Sequence, residues 1–166
     1  MTNSEYGEYI KKAIEILPRG AFLTTHDGSK ANTMTIGWGS FAFDWGMPVF
    51  EALVRESRFS KAALDKHDTY TVTFPYGSEM KEALSYCGSK SGRDCDKIAD
   101  CGLVLGKSKT VEAPFVSCHG IILECRTVMR LPMNNNSVSS EILDKWYPSG
   151  DLHTLYFGKI EACYEI

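Results

Sequence analysis

The sequence predicts a mainly β domain with inserted helices, closed as an antiparallel barrel rather than laid out as a parallel sheet. Three observations carry this. About six segments alternate, or run apolar, over strand lengths, and helical patterns fall between them irregularly instead of after every strand. No G-x-G-x-x-G follows a strand and no Walker sequence occurs, so neither common α/β nucleotide-binding scheme applies. At 166 residues the chain suits a single domain, 1–166, around one core.

The elements follow in order. Residues 4–17 place Tyr6, Tyr9, Ile10, Ala13, Ile14 and Leu17 on one helical face, and Pro18 and Gly20 stop the helix. Ala21–His26 reads as a strand that turns at Asp27-Gly28. Asn32–Phe43 reads as one long strand ending in aromatics. Beyond a Gly-Met-Pro turn, Val49–Val54 is almost wholly apolar, as a strand buried on both faces should be. Ser57 is positioned to cap a helix running to Lys66. Thr69–Phe74 alternates hydroxyl and apolar residues up to Pro75. Ser78 and Asp94 are expected to cap two short helices, stopped by Gly88 and Gly102, with a polar loop Ser89–Arg93 between them. Gly120–Met129 is a strand, Asn134–Asn136 a surface loop, Ser139–Trp146 a helical turn or two, and Thr154–Tyr164 the closing strand.

Hydrophobic content of 43% and charged content of 23% describe an ordinary globular chain. A net charge of -3 and the lack of a basic run argue against a nucleic-acid partner. Met1–Lys12 lacks the apolar core of a signal peptide, and no apolar run reaches membrane-spanning length, so a cytoplasmic address is expected. The six cysteines form no C-x-x-C pair and fit no metal template. They are expected to be reduced thiols packed as small apolar residues.

Asn32–Ser60 is the stretch where chemistry concentrates, because it delivers Arg55, Ser57, Arg58 and Ser60 to one helix start. Free N–H groups and the dipole at a helix N-terminus attract phosphate, arginine offers a planar fork, and serine hydroxyls fill the remaining lone pairs. An ordinary capped helix bearing surface arginines fits the same residues.

Asn32-Thr-Met-Thr-Ile-Gly-Trp-Gly-Ser40, followed by Val54-Arg-Glu-Ser-Arg-Phe-Ser60, resembles the flavin reductase-like, FMN-binding split-barrel family, and within it the flavoredoxin-like branch. Ser89-Lys-Ser-Gly-Arg-Asp94 and Gly150-Asp-Leu-His-Thr-Leu-Tyr-Phe-Gly158 resemble that branch too, so the match spans roughly Arg19–Tyr164 with its motifs in order. The resemblance implies an FMN-binding split β-barrel, a Greek-key antiparallel barrel with FMN at its rim, and a homodimer with FMN near the seam. It implies the flavin phosphate at Arg55, Ser57, Arg58 and Ser60, and the ring and ribityl chain along Asn32, Thr33, Met34 and Thr35. Ser89, Lys90, Ser91 and Arg93 would reach over the flavin or its phosphate. His153 resembles the histidine of the family's Gly-Asp-His signature, which faces the nicotinamide site, although Leu152 here separates it from Asp151. The implied activity is an NAD(P)H-dependent flavin reductase with hydride transfer at flavin N5. The alternative is a flavoredoxin-like FMN electron carrier between redox partner proteins, without a nicotinamide site.

The remaining histidines read as structural. His26 precedes a turn, His67 ends a helix, and His119 has no ligand pair near it in sequence, so no metal is expected. The aromatic cluster Trp38, Phe41, Phe43 and Trp45 fits a flavin wall, a core or a subunit interface.

Overall fold

A computed structural model describes residues 3–166, with side chains from Tyr6 onward. The strands are β1 (Ala21–His26), β2 (Ala31–Ile36), β3 (Gly39–Asp44), β4 (Met47–Arg55), β5 (Thr69–Pro75), β6 (Leu105–Gly106), β7 (Phe115–Val116), β8 (Gly120–Pro132) and β9 (His153–Glu165). The helices are α1 (Asn3–Ile16), α2 (Phe59–Lys66), α3 (Lys81–Ser89), α4 (Lys97–Asp100) and α5 (Ser140–Trp146). Seven strands form one antiparallel sheet in the order β2-β1-β5-β8-β9-β4-β3, while β6 and β7 make a separate ribbon.

The sheet wraps around a single interior. One cluster takes Leu23 from β1, Met34 and Ile36 from β2, Phe50 and Val54 from β4, Val72 and Phe74 from β5, Leu123 from β8 and Tyr156 from β9, with Phe41 of β3 packed against it. Residues from all seven strands of the sheet therefore point to one enclosed core, which is the geometry of a barrel. No hydrogen-bonded pairing joins β2 to β3 or β4, so the barrel is split along that seam. Leu64 of α2 and Ala13 and Ile16 of α1 complete the core. On the outer face of β1, Phe22 packs with Leu84 and Cys87 of α3 and Val116 of β7.

The segment expected as one strand, Asn32–Phe43, is two. β2 pairs with β1 and β3 with β4, so the chain crosses the open seam at Gly37-Trp38. Gly39 makes the corner possible, since a Cβ there would lie 2.7 Å from Phe50 and 2.9 Å from the Glu51 carbonyl. Helix starts also differ from expectation. α2 begins after Arg58, whose backbone rather than the Ser57 side chain occupies the cap position, because the Ser57 hydroxyl is engaged elsewhere. Met80 instead of Ser78 precedes α3, which runs through Gly88 to Ser89. Asp96, not Asp94, caps α4 by accepting the Ala99 N–H. In α1, Ile14 is 52% exposed and Ile16 is buried in its place, because the inward face runs Tyr6, Tyr9, Ala13, Ile16.

Of the six cysteines, Cys87, Cys125 and Cys163 are buried, while Cys95, Cys101 and Cys118 are half-buried. The aromatic cluster is divided: Phe41 faces the core, whereas Phe43 and Trp45 are exposed on the β3–β4 hairpin. Among the described residues no helix is long and apolar enough to cross a membrane.

Candidate functional site

The seam between β2 and β4 opens into a groove with two lobes that share Met34 and Arg58. Alternation on β2 places Asn32, Met34 and Ile36 on one face, and β4 brings Leu53 and Arg55 opposite.

The first lobe, about 100 Å³, lies where α2 begins. Ser57, Arg58, Ser60, Ser89, Lys90, Ser91 and Arg93 all line it, together with Lys97, and no carboxylate does. Most of these side chains are held by local contacts. Arg58 donates to the Gly88 carbonyl at 2.8 Å, and Arg93 donates to the Ser57 carbonyl at 3.1 Å with its guanidinium over the Phe59 ring. Ser60 accepts from the Asn32 amide at 2.8 Å, tying the start of α2 to β2. Ser91 accepts from the Arg93 N–H, and the Ser89 hydroxyl returns to carbonyls of its own helix. A Cβ on Gly92 would sit 2.3 Å from Asn32 Oδ1 and 2.5 Å from Phe59, so only glycine lets this loop close against β2 and α2.

Lys97 is the lobe's unexpected member. It is 3% exposed, yet its ammonium has a single acceptor, the Cys87 carbonyl at 3.3 Å. Burial lowers its basicity, and the nearby Arg58 guanidinium acts in the same direction. An ammonium carries three donors, so this cation is held out of water with most of its hydrogen-bonding capacity unmet. Four cationic side chains and the N–H groups at the start of α2 thus converge on a space with no anion of its own, as a phosphate site requires.

The second lobe, about 110 Å³, has a different chemistry. Met34, Thr35, Ile36, Gly37, Trp38, Leu53 and Arg55 surround it with His153. Trp38 stands edge-on to Trp146 at 5.0 Å and 5.3 Å from the His153 ring. His153 is buried, and its Nδ1 shares a 2.7 Å hydrogen bond with the Tyr147 hydroxyl. Burial, with the Arg55 guanidinium adding to it, pulls its pKa down to about 4, so the ring is neutral at pH 7. Arg55 donates to the Asp151 and Trp146 carbonyls at 3.0 and 2.9 Å and stacks over Tyr147. Its guanidinium therefore serves the aromatic lobe, whereas the sequence had grouped it with Ser57, Arg58 and Ser60.

Most residues singled out in the sequence meet at this groove. Thr33 does not: it is fully buried, hydrogen-bonded to Thr24 and the Leu23 carbonyl on the far face of β2. Thr35 presents backbone to the groove while its hydroxyl donates to the Leu84 carbonyl at 2.6 Å. Asn32 acts through Ser60. The residues that sequence reasoning missed are Lys97, Tyr147 and the carboxylate of Asp151. For Lys97 a signal was present, since a lysine as the first residue of a helix opposes the dipole. Tyr147 and Asp151 reach the site only through the fold.

The donor set fits a flavin mononucleotide in this groove: a cationic, carboxylate-free lobe with an under-coordinated lysine adjoins a second lobe in which Met34, Ile36, Trp38 and Leu53 form apolar walls beside Arg55 and His153. Comparison with known proteins agrees. A profile for "Flavin reductase like domain" matches residues 17–166. A search of curated proteins returns no match. Among solved structures, flavoredoxin from Methanosarcina acetivorans is 25% identical, with 89% of this chain and 68% of that chain aligned at a TM-score of 0.70. Flavoredoxin of Desulfovibrio vulgaris (Miyazaki F) is 19% identical over 89% of this chain and 69% of its own, also at 0.70. Nitrilotriacetate monooxygenase component B from Bacillus cereus is 14% identical over 99% and 77%, at 0.69. With its split barrel, its seam groove and a family match running from residue 17 to its last residue, the chain belongs to the flavin reductase-like domain family.

Proposed function

We propose that this protein binds FMN in the β2–β4 groove and acts as an NAD(P)H-dependent oxidoreductase of the flavin reductase type. The observation that carries the reading is the make-up of the groove, carboxylate-free with Lys90, Arg93 and Lys97 at one lobe, and with Trp38, Leu53, Arg55 and a neutral histidine at the other, continuous through Met34 and Arg58. Arg58, Ser60, Lys90, Arg93 and Lys97 hold the phosphate, with Ser57, Ser89 and Ser91 lining the same lobe. Asn32 fixes Ser60, and Met34, Thr35, Trp38 and Leu53 wall the ring. Bound FMN supplies the hydride-accepting chemistry itself. His153 contributes an uncharged polar edge that Tyr147 orients, and Trp38 with Trp146 shields it from solvent.

The second reading is an FMN electron carrier, favoured by the likeness to the Methanosarcina flavoredoxin. An anaerobic absorbance spectrum separates the two. A flavin spectrum that bleaches with NADH or NADPH supports the reductase, and one that stays oxidised with both supports the carrier. No flavin spectrum after incubation with FMN overturns both.

A homodimer accompanies either reading. Phe43 at 73% and Trp45 at 60% exposure project from an edge hairpin, an arrangement a second copy would cover. The six unpaired thiols suit a reducing, cytoplasmic compartment.

A further inference from the structure

The cationic lobe is backed by two cysteines that do not line it. α3 ends at Cys87-Gly88-Ser89, and the carbonyls of Cys87 and Gly88 hold Lys97 at 3.3 Å and Arg58 at 2.8 Å. Cys101 follows α4 one turn after Lys97, so the two share the face that reaches α3. There Cys101 packs against the cluster of Phe22, Leu84, Cys87 and Val116, and its sulfur neighbours the Cys87 thiol. Neither cysteine borders the groove. The segment between them, residues 88–100, carries Ser89, Lys90, Ser91, Arg93 and Lys97 of the cationic lobe.

The two thiols differ in access. Cys87 is buried and Cys101 half-buried. Burial, with the Cys101 sulfur adding to it, raises the pKa of Cys87 above the ordinary thiol value. Cys87 therefore stays a protonated thiol, and an oxidant arriving from solvent meets Cys101 first. The other thiols are placed differently. Cys125 and Cys163 neighbour each other, but both are buried within the barrel. Cys95 donates to the Ser91 carbonyl at 3.4 Å and lines a separate cavity of about 390 Å³, which Lys97 also borders.

We propose that Cys87 and Cys101 form a reversible disulfide that tightens flavin binding at the cationic lobe. The oxidant is hydrogen peroxide. It converts the Cys101 thiol to a sulfenic acid and releases one water. The Cys87 sulfur then attacks the Cys101 sulfur, the S–O bond breaks, and hydroxide departs with the Cys87 proton as a second water. Two thiols lose two electrons and two protons, and one peroxide becomes two waters. The bridge closes residues 88–100 into a loop and removes conformations in which the cations of the lobe are apart, so less ordering is left for flavin to impose. In a reducing compartment such a bond is transient, which makes it a switch. The effect on flavin rests on the FMN reading above, whereas the bond itself does not.

The test is peroxide treatment of the intact chain, read by mass-spectrometric mapping of disulfides and by FMN titration followed through flavin fluorescence. It is run on the wild type, Cys95→Ser and Cys101→Ser. The expected result is a Cys87–Cys101 bridge in the wild type and in Cys95→Ser, and none in Cys101→Ser. FMN should bind at least about threefold more tightly wherever the bridge forms, with dithiothreitol restoring the reduced value. In Cys101→Ser, peroxide should leave FMN affinity unchanged. No bridge, a bridge to Cys95 instead, or a bridge that leaves FMN binding equal or weaker overturns the proposal and leaves the FMN reading standing. Absence of FMN binding in both redox states overturns that reading, and the proposal with it.

Discussion

Asp151 receives both donors of Ser57: the backbone N–H at 2.9 Å on one carboxylate oxygen and the hydroxyl at 2.8 Å on the other. The pair is separated by 94 positions, and it pins the turn before α2 to the entrance of β9. Asp151 adopts a φ of 31°, unusual for a residue with a side chain, and its carbonyl also accepts from Arg55. One residue thereby sets the start of the cationic lobe and the cation of the aromatic lobe.

Asp151→Ala should therefore act on both lobes. Losing two hydrogen bonds should cost about 1–3 kcal/mol of stability. Flavin affinity should fall as Ser57 loses its anchor and Arg55 its 4.0 Å ion pair, although the residue 151 carbonyl still accepts from Arg55. Thermal denaturation with and without flavin checks this, and an unchanged ligand-induced shift in Tm would contradict it.

The two arginines should be separable. Arg58→Ala removes a phosphate contact worth about 1.5–3 kcal/mol, so FMN affinity should drop roughly 10- to 150-fold, and riboflavin, which lacks the phosphate, should lose much less. Arg55→Ala should weaken FMN and riboflavin alike, because its guanidinium belongs to the ring lobe. Equal losses for both ligands in both variants would refute the division.

Lys97→Met should improve the ligand-free protein while harming binding. Removing a buried, under-bonded ammonium relieves its desolvation penalty, so the apo Tm should hold or rise. Flavin affinity should fall at least about tenfold. A lowered apo Tm with normal flavin binding would mark Lys97 as structural.

His153 gives the protein a defined acid sensitivity. Its pKa is about 4 in the fold against 6.5 ordinarily, chiefly because it is buried. Below pH 6.5 the unfolded chain binds a proton that the folded chain refuses, so this contribution is complete above pH 6.5 and is lost as pH falls toward 4. The full loss is on the order of 3 kcal/mol. Tm measured from pH 7.5 to 4 should decline less steeply in His153→Gln than in the wild type.

Gly92→Ala should lower both stability and flavin affinity, since its Cβ has no space between Asn32 and Phe59. Overpacking of this kind costs about 1–3 kcal/mol. Calorimetry and flavin titration of the single variant are sufficient.

The local patterns by themselves determined most of the element inventory. Apolar runs such as Val49–Val54 and alternation such as Thr69–Phe74 specify strands because side chains alternate across a sheet, and no other part of the chain need be known. Those patterns also gathered Arg58 and Ser60 as a cation and a hydroxyl suited to a phosphate, whereas only the resemblance of their motif tied Lys90 and Arg93 to the same place. Tertiary structure decided what depends on distant partners. Asn32–Phe43 looks continuous because both halves have strand character, yet its halves pair at opposite ends of the sheet. Ser57 has the composition of a cap, but Asp151 offers its hydroxyl a stronger, charged acceptor. Thr33 and Thr35 are both threonines on one strand, and only the close packing of β1 and α3 shows that their hydroxyls point away from the groove. Lys97 is an ordinary helix-start lysine until α3 and the β2 wall fold over it; burial, which no local pattern encodes, turns it into the cation between two cavities.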